Sequence, residues 1–255
     1  MKEFDRLVEI MEMVRKFCPW DKKQTHLSLM QYLLEETYEV IESIEQRDDE
    51  NLKEELGDLL IQIIFHSIIA NERKKFDIKE VMTSISDKLT RRHPHVFDNL
   101  KVANESEVLH NWEKIKLNEG KTSALQGVPK SLPALLKASR IQSKASRVGF
   151  DWKEYKDVFK KVEEEIQELK NAAEINNNDK IEEELGDLLF SIVNISRFLH
   201  INPEDALRRT INKFIRRFTL IEQEISKQGK KLEDVSLEEM DKIWEQSKDS
   251  LSQMH

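Results

Sequence analysis

Apolar residues recur along most of this chain at intervals of three and four, the period of helices that bury one face. Phe4, Leu7, Val8, Met11, Val14 and Phe17 form the first such stripe and predict a helix over 2–17, stopped by Cys18-Pro19-Trp20-Asp21. Further stripes predict helices near 24–46, 50–71, 77–92 and 105–118, the 77–92 helix ending where Pro94 constrains the backbone of His93. Gly120, Gly127, Pro129 and Pro133 then punctuate a stretch without a long periodic pattern. After it the same order returns, with helices expected near 133–147, 154–175, 178–200, 203–227 and 236–250. Asn202 is a good N-cap for the helix that Pro203 begins. No stretch alternates in the manner of a strand. The expected class is all-α, as tandem duplicated helical domains of the bundle type with no significant β-sheet. The expected limits are an N-terminal repeat at 1–118, a linker at 119–132 and a C-terminal repeat at 133–255.

The polar positions repeat as well. Glu35, Glu36 and Glu39 are followed by Glu54, Glu55, Gly57 and Asp58, and each of these recurs 129 residues later, from Glu36 to Glu165 through Asp58 to Asp187. Helical residues three apart share a face. Glu36 with Glu39 and Glu55 with Asp58 therefore make two pairs that antiparallel helices can bring to one point. Glu165 with Glu168 and Glu184 with Asp187 make the second set. Four carboxylates that close repel unless a cation or protons join them. Ligation by oxygen alone favours Mg²⁺, with Mn²⁺ as a substitute. Gly57 and Gly186 sit inside helices, where glycine costs about 1 kcal/mol relative to alanine. Close helix approach, or room for a metal and its waters, would compensate. The outer acids, Glu164 and Glu183 with their counterparts Glu35 and Glu54, include candidates for a water-activating base.

Basic and aromatic positions recur in the same order. Lys213 and Arg217 are four apart, like Lys88 and Arg92, and Trp244 and Lys248 are four apart, like Trp112 and Lys116. A tryptophan can stack on a base while the lysines and arginine reach phosphate. The net charge of −8 over 255 residues argues against a general nucleic-acid binder. The most apolar stretch, 59–70, is too short to span a bilayer, and a single cysteine suits a reducing compartment. The expected location is the cytoplasm, with neither membrane nor nucleic acid as partner.

Taken together, Glu-Glu-x-x-Glu, Glu-x-x-Asp, Lys-x-x-x-Arg and Trp-x-x-x-Lys in duplicate resemble the full-length MazG family. Leu34 to Val40 and Arg147 to Trp152 extend that resemblance, which covers almost the whole chain. It implies Mg²⁺-dependent hydrolysis of nucleoside triphosphates to the monophosphate and pyrophosphate, in a homodimer. It further implies Glu165, Glu168, Glu184 and Asp187 as metal ligands, with Lys161, Lys213, Arg217 and Trp244 on the nucleotide. The C-terminal repeat would be the main catalytic unit, since Tyr32 stands where the second repeat has Lys161. A non-catalytic Mg-nucleotide sensor or regulatory scaffold would need the same residues, so that alternative stands beside catalysis.

Overall fold

The computed structural model describes residues 2–98, 100–104, 107–108, 111–112, 115 and 123–252. Lys116 and most of the helix expected at 105–118 lie outside the described residues. The described residues are mostly helical and contain no strand. Backbone contacts divide the chain into two compact units, Met1–Val108 and Leu109–His255. No helix among the described residues is long and apolar enough to cross a membrane.

In the first unit, α1 (Lys2–Phe17) lies against α3 (Asp49–Glu72), and α2 (Met30–Gln46) forms a hairpin with α3. Met11, Leu29, Ile64, Phe65 and Ile69 are the buried centre. Arg15 fastens the end of α1 to the end of α3 by donating from Nε and Nη2 to the two carboxylate oxygens of Glu72, each at 2.8 Å. α4 (Ile78–Arg92) begins with a reciprocal capping box between Asp77 and Glu80. Pro94 does end that helix, but it also opens a short helix not anticipated from sequence, α5 (Pro94–Phe97), because its missing N–H is no loss in a first turn.

The second unit repeats the plan. α6 (Ala134–Ser146) lies against α8 (Asn178–Phe198), and α7 (Tyr155–Glu174) forms the hairpin with α8. α9 (Pro203–Lys227) pairs with α10 (Leu237–Ser252) over Ile221, Ile225 and Val235. Asn202 caps α9 as expected, its Oδ1 accepting from the N–H of Glu204 at 3.0 Å. The duplication extends into the core. Leu29 and its register mate Val158 are each 1% exposed, and Ile64 and its mate Val193 are 0% and 1% exposed.

Both hairpins turn by one device. Arg47 and Asn176 take positive φ (57° and 50°) at the end of the first helix. The next residue then caps the second helix: Asp48 accepts from Asn51 N–H at 3.1 Å, and Asn177 from Lys180 N–H at 3.2 Å. This fixes the register in which α2 meets α3 and α7 meets α8. One boundary differs from expectation. α2 starts at Met30 and not near 24, because Thr25 and Ser28 exchange backbone-to-hydroxyl hydrogen bonds (2.8 and 3.1 Å) that hold the preceding residues in a turn.

Candidate functional site

The hairpins gather the duplicated acids. In the second unit, carboxylate oxygens of Glu165, Glu184 and Asp187 lie within 4.8 Å of one another. In the first, Glu36, Glu39 and Glu55 do the same. Glu168 and Asp58 stand outside these tight triads but within their fields. The Glu168 carboxyl, although exposed, is pushed above the ordinary range by partial loss of hydration, then by Glu184 and Glu165, with Lys161 opposing. Asp58 acts on both Glu36 and Glu55. Each hairpin therefore collects four carboxyl groups in one neighbourhood.

Glu165 and Glu184 are only 4% and 7% exposed. One oxygen of Glu165, Oε2, is buried with no hydrogen-bond partner. A buried carboxylate lone pair without a donor, beside further oxygens, suits a hard divalent cation, and the residues present fit one.

The two sites differ in their compensating charge. Lys161 Nζ lies 2.7 Å from Glu165 and 2.8 Å from Glu164. Hydrogen bonds to Glu164 and Glu165 hold its ammonium well above the usual lysine range. Lys180 Nζ lies 3.6 Å from Glu184. The register mates in the first unit are Tyr32 and Asn51, and neither carries charge. There, burial followed by neighbouring acids raises the carboxyls of both Glu36 and Glu55. Lys180 was not among the candidates from sequence, although its place four residues before Glu184 is the signal that points to it.

These shifts give a pH-dependent prediction. A carboxyl whose pKa is raised by folding adds stability below its unfolded value, and this is lost as pH rises through the folded one. For Glu36, Glu55 and Glu168 that window opens at the ordinary carboxylate value and extends upward. If these acids hold Mg²⁺, the ion takes the place of protons on them. Magnesium is therefore expected to raise the melting temperature more at pH 7.5 than at pH 5, as read by thermal melts. Equal shifts at both pH values would show that the acids do not hold the ion.

Close helix approach at the two glycines is not what the structure has. A Cβ built on Gly57 or Gly186 meets nothing within 4 Å, so open space lies over each. Gly186→Ala is expected to stabilise the fold by about 1 kcal/mol. If that space takes a cation's waters, the same change lowers kcat/KM, and unaltered kinetics would remove this role from the glycine.

A cleft of about 810 Å³ opens beside the second acid group. Lys161, Glu165 and Asp187 line one part of it, and Phe150, Trp152 and Phe190 bring aromatic rings. Gln142, Asn194, Asp151 and Arg197 add polar groups. Of the sequence candidates for substrate contact, only Lys161 lines this cleft. Lys213 is exposed on α9. Arg217 stacks on the Trp244 ring, 5.4 Å from its centroid, and its Nε is buried without a partner. Trp244 also packs on Phe214, at 5.3 Å between centroids, and against the Ile221 cluster. Lys248 pairs with Glu245. Glu164 is exposed and held by Lys161, whereas Glu183 is exposed with no ion pair or hydrogen bond among the described residues.

The cleft residues of α6 and α8 carried one faint sequence signal. Asn194 is a polar residue inside the apolar run from Leu188 to Ile195, where its register mate in the first unit is Phe65. Phe65 is 3% exposed within the core.

A family model described as the MazG nucleotide pyrophosphohydrolase domain matches the chain twice, at residues 24–97 and 153–219. The nucleoside triphosphate pyrophosphohydrolase/pyrophosphatase MazG of Thermotoga maritima is 48% identical over 96% of this chain and 95% of its own length. The nucleoside triphosphate pyrophosphohydrolase of Escherichia coli is 44% identical over 97% and 98%. The crystal structure of a mazG-related protein from Thermotoga maritima covers 44% of this chain and 98% of its own, at 29% identity and a TM-score of 0.41.

Proposed function

Because this chain belongs to the MazG nucleotide pyrophosphohydrolase family, we infer that it hydrolyses nucleoside triphosphates to the monophosphate and pyrophosphate, using the second acid hairpin. The observation that carries this reading is the close group of Glu165, Glu184 and Asp187 oxygens beside a cleft large enough for a nucleotide. Both relatives named above carry this activity in their names, and the chain spans nearly all of each.

Glu165, Glu168, Glu184 and Asp187 would hold Mg²⁺, with Mn²⁺ as a substitute. When bound, the ion offsets phosphate charge and acidifies water. The protein's own groups do the rest. A water oxygen attacks the α-phosphorus and its proton passes to Glu164 or Glu183. The bond between that phosphorus and the bridging oxygen breaks, and pyrophosphate leaves with the electron pair. Glu164 and Glu183 are both exposed and each precedes a ligand acid in the chain, so either can take that proton. Lys161 keeps its proton and can turn from the acids to the phosphates, a charge-assisted contact. Lys213, Arg217, Trp244 and Lys248 remain the proposed outer contacts to the nucleotide.

The first hairpin supports the other reading, a site that binds without turnover. It keeps its acids but has Tyr32 for Lys161, and buried Phe65 stands where the cleft has Asn194. We place the repeats at 1–118 and 133–255, with 119–132 as linker. Leu207, Ile211, Phe214 and Ile215 on α9 are exposed large apolar residues, which favours a homodimer. A cytoplasmic location, with no membrane or nucleic-acid partner, completes the proposal.

The test incubates the chain with ATP and Mg²⁺ and scores products. AMP with pyrophosphate is expected. ADP would mean that another bond breaks, and no product would leave a nucleotide sensor or regulatory scaffold. The double variant E36Q/E55Q is expected to keep more than half of the wild-type rate, and a loss comparable to that of E165Q would make the first hairpin catalytic.

A further inference from the structure

Gln142 on α6 and Asn194 on α8 face the same cleft with their amides held in opposite senses. Gln142 is 93% buried, and its Nε2 donates to the backbone carbonyl of Phe190 at 2.8 Å. That contact fixes which end of the amide is which, and Oε1 is left buried with no donor. A buried acceptor without a donor is rare in folded proteins and marks a place for a partner. Asn194 is held the other way. Its Oδ1 accepts from Arg197 Nε at 3.1 Å and from Nη2 at 2.8 Å, so Nδ2 is the end left with no acceptor among the described residues. Arg197 is in turn forked onto Asp151, with Nη1 donating to Oδ2 at 2.9 Å. Asp151 lies between Phe150 and Trp152, so this ion pair also fastens the aromatic wall.

We propose that this amide pair reads the edge of the substrate's base. Gln142 Oε1 accepts from a base N–H, Asn194 Nδ2 donates to the neighbouring ring nitrogen or carbonyl, and Phe150 and Trp152 supply stacking faces. The Arg197–Asp151 pair acts as a positioning device for Asn194. Adenine, cytosine, guanine and uracil each present an N–H next to an acceptor, so the site admits all four. It selects against bases that lack that N–H, because the Gln142 acceptor then stays buried and unpaired. The first unit has Met13 and Phe65 at these register positions and offers neither group.

The inference rests on the hydrolase reading for its substrate, and the test separates the two. Binding of AMP and of purine riboside monophosphate, which lacks the 6-amino group, is measured by calorimetry with Mg²⁺ present. The corresponding triphosphates are then assayed for pyrophosphate release. Wild type is expected to prefer the amino-bearing base by roughly 10-fold or more in both measurements. In Q142L this preference falls to near unity. N194D keeps the acceptor for Arg197, and hence the fold, but loses the donor. The ring nitrogen that this donor serves is present in both ligands, so N194D is expected to weaken both alike and to leave their ratio near that of wild type. No turnover with any triphosphate, alongside a preserved binding preference, would remove the hydrolase reading and sustain the base contacts. Equal binding of the two monophosphates by wild type, an unchanged preference in Q142L, or undiminished AMP binding by N194D would overturn the proposal.

Discussion

Glu184→Gln is expected to lower pyrophosphate release by about 10³-fold while leaving the metal-free protein as stable as wild type or more so. The two effects have one origin. Glu184 is 7% exposed, shares a 4.8 Å neighbourhood with Glu165 and Asp187, and pushes the Glu168 carboxyl upward. Removing its charge relieves that repulsion. The ion pair lost with it is the loose 3.6 Å contact to half-exposed Lys180, which is worth little. Losing a ligand to the proposed cation costs several kcal/mol of transition-state stabilisation, and each 1.36 kcal/mol is about tenfold in rate. The stabilisation by Mg²⁺ expected in thermal melts should disappear in the same variant. A variant that keeps a tenth of the activity, or its full Mg²⁺ response, would remove Glu184 from the ligand set.

The second large effect concerns stability. Trp244→Ala is expected to cost about 3 kcal/mol, toward the lower end for truncating a large aromatic because the residue is only half-buried. The ring is held on several sides: Phe214 at 5.3 Å, the Arg217 guanidinium at 5.4 Å, and the cluster of Ile221, Ile225 and Val235 that joins α9 to α10. Its loss also leaves Arg217, whose Nε already lacks a partner, without its stacking surface. Chemical denaturation measures the cost. Trp244→Phe retains most of the packing and isolates the other role: a raised KM for ATP with near-normal stability supports contact with the nucleotide, and unchanged kinetics leave the ring as core.

Much of this is legible in the sequence. The apolar period located the helices because a helix buries one face whatever it packs against. Asn202 and Pro203 marked the start of α9 because capping is a contact between neighbours in sequence. The acids could be paired across each hairpin because Glu165 with Glu168, and Glu184 with Asp187, are one helical turn apart and the turn between their helices is short. The miss at the start of α2 was local too: hydroxyls of Thr25 and Ser28 outcompeted the helix for backbone donors.

What only the tertiary structure decided is which of these groups lose water and what they meet when they do. Glu165 is buried and Glu168 exposed, though both belong to the same motif on the same helix. Lys161 lies on the carboxylates of Glu164 and Glu165. Gln142 reaches Phe190 across 48 residues of sequence, and Arg197 reaches Asp151 across 46. Periodicity states which side of a helix is apolar, a property of single residues and their spacing. Burial, orphaned lone pairs and the walls of a cleft belong to pairs of helices, and they exist once α6 has docked on α8.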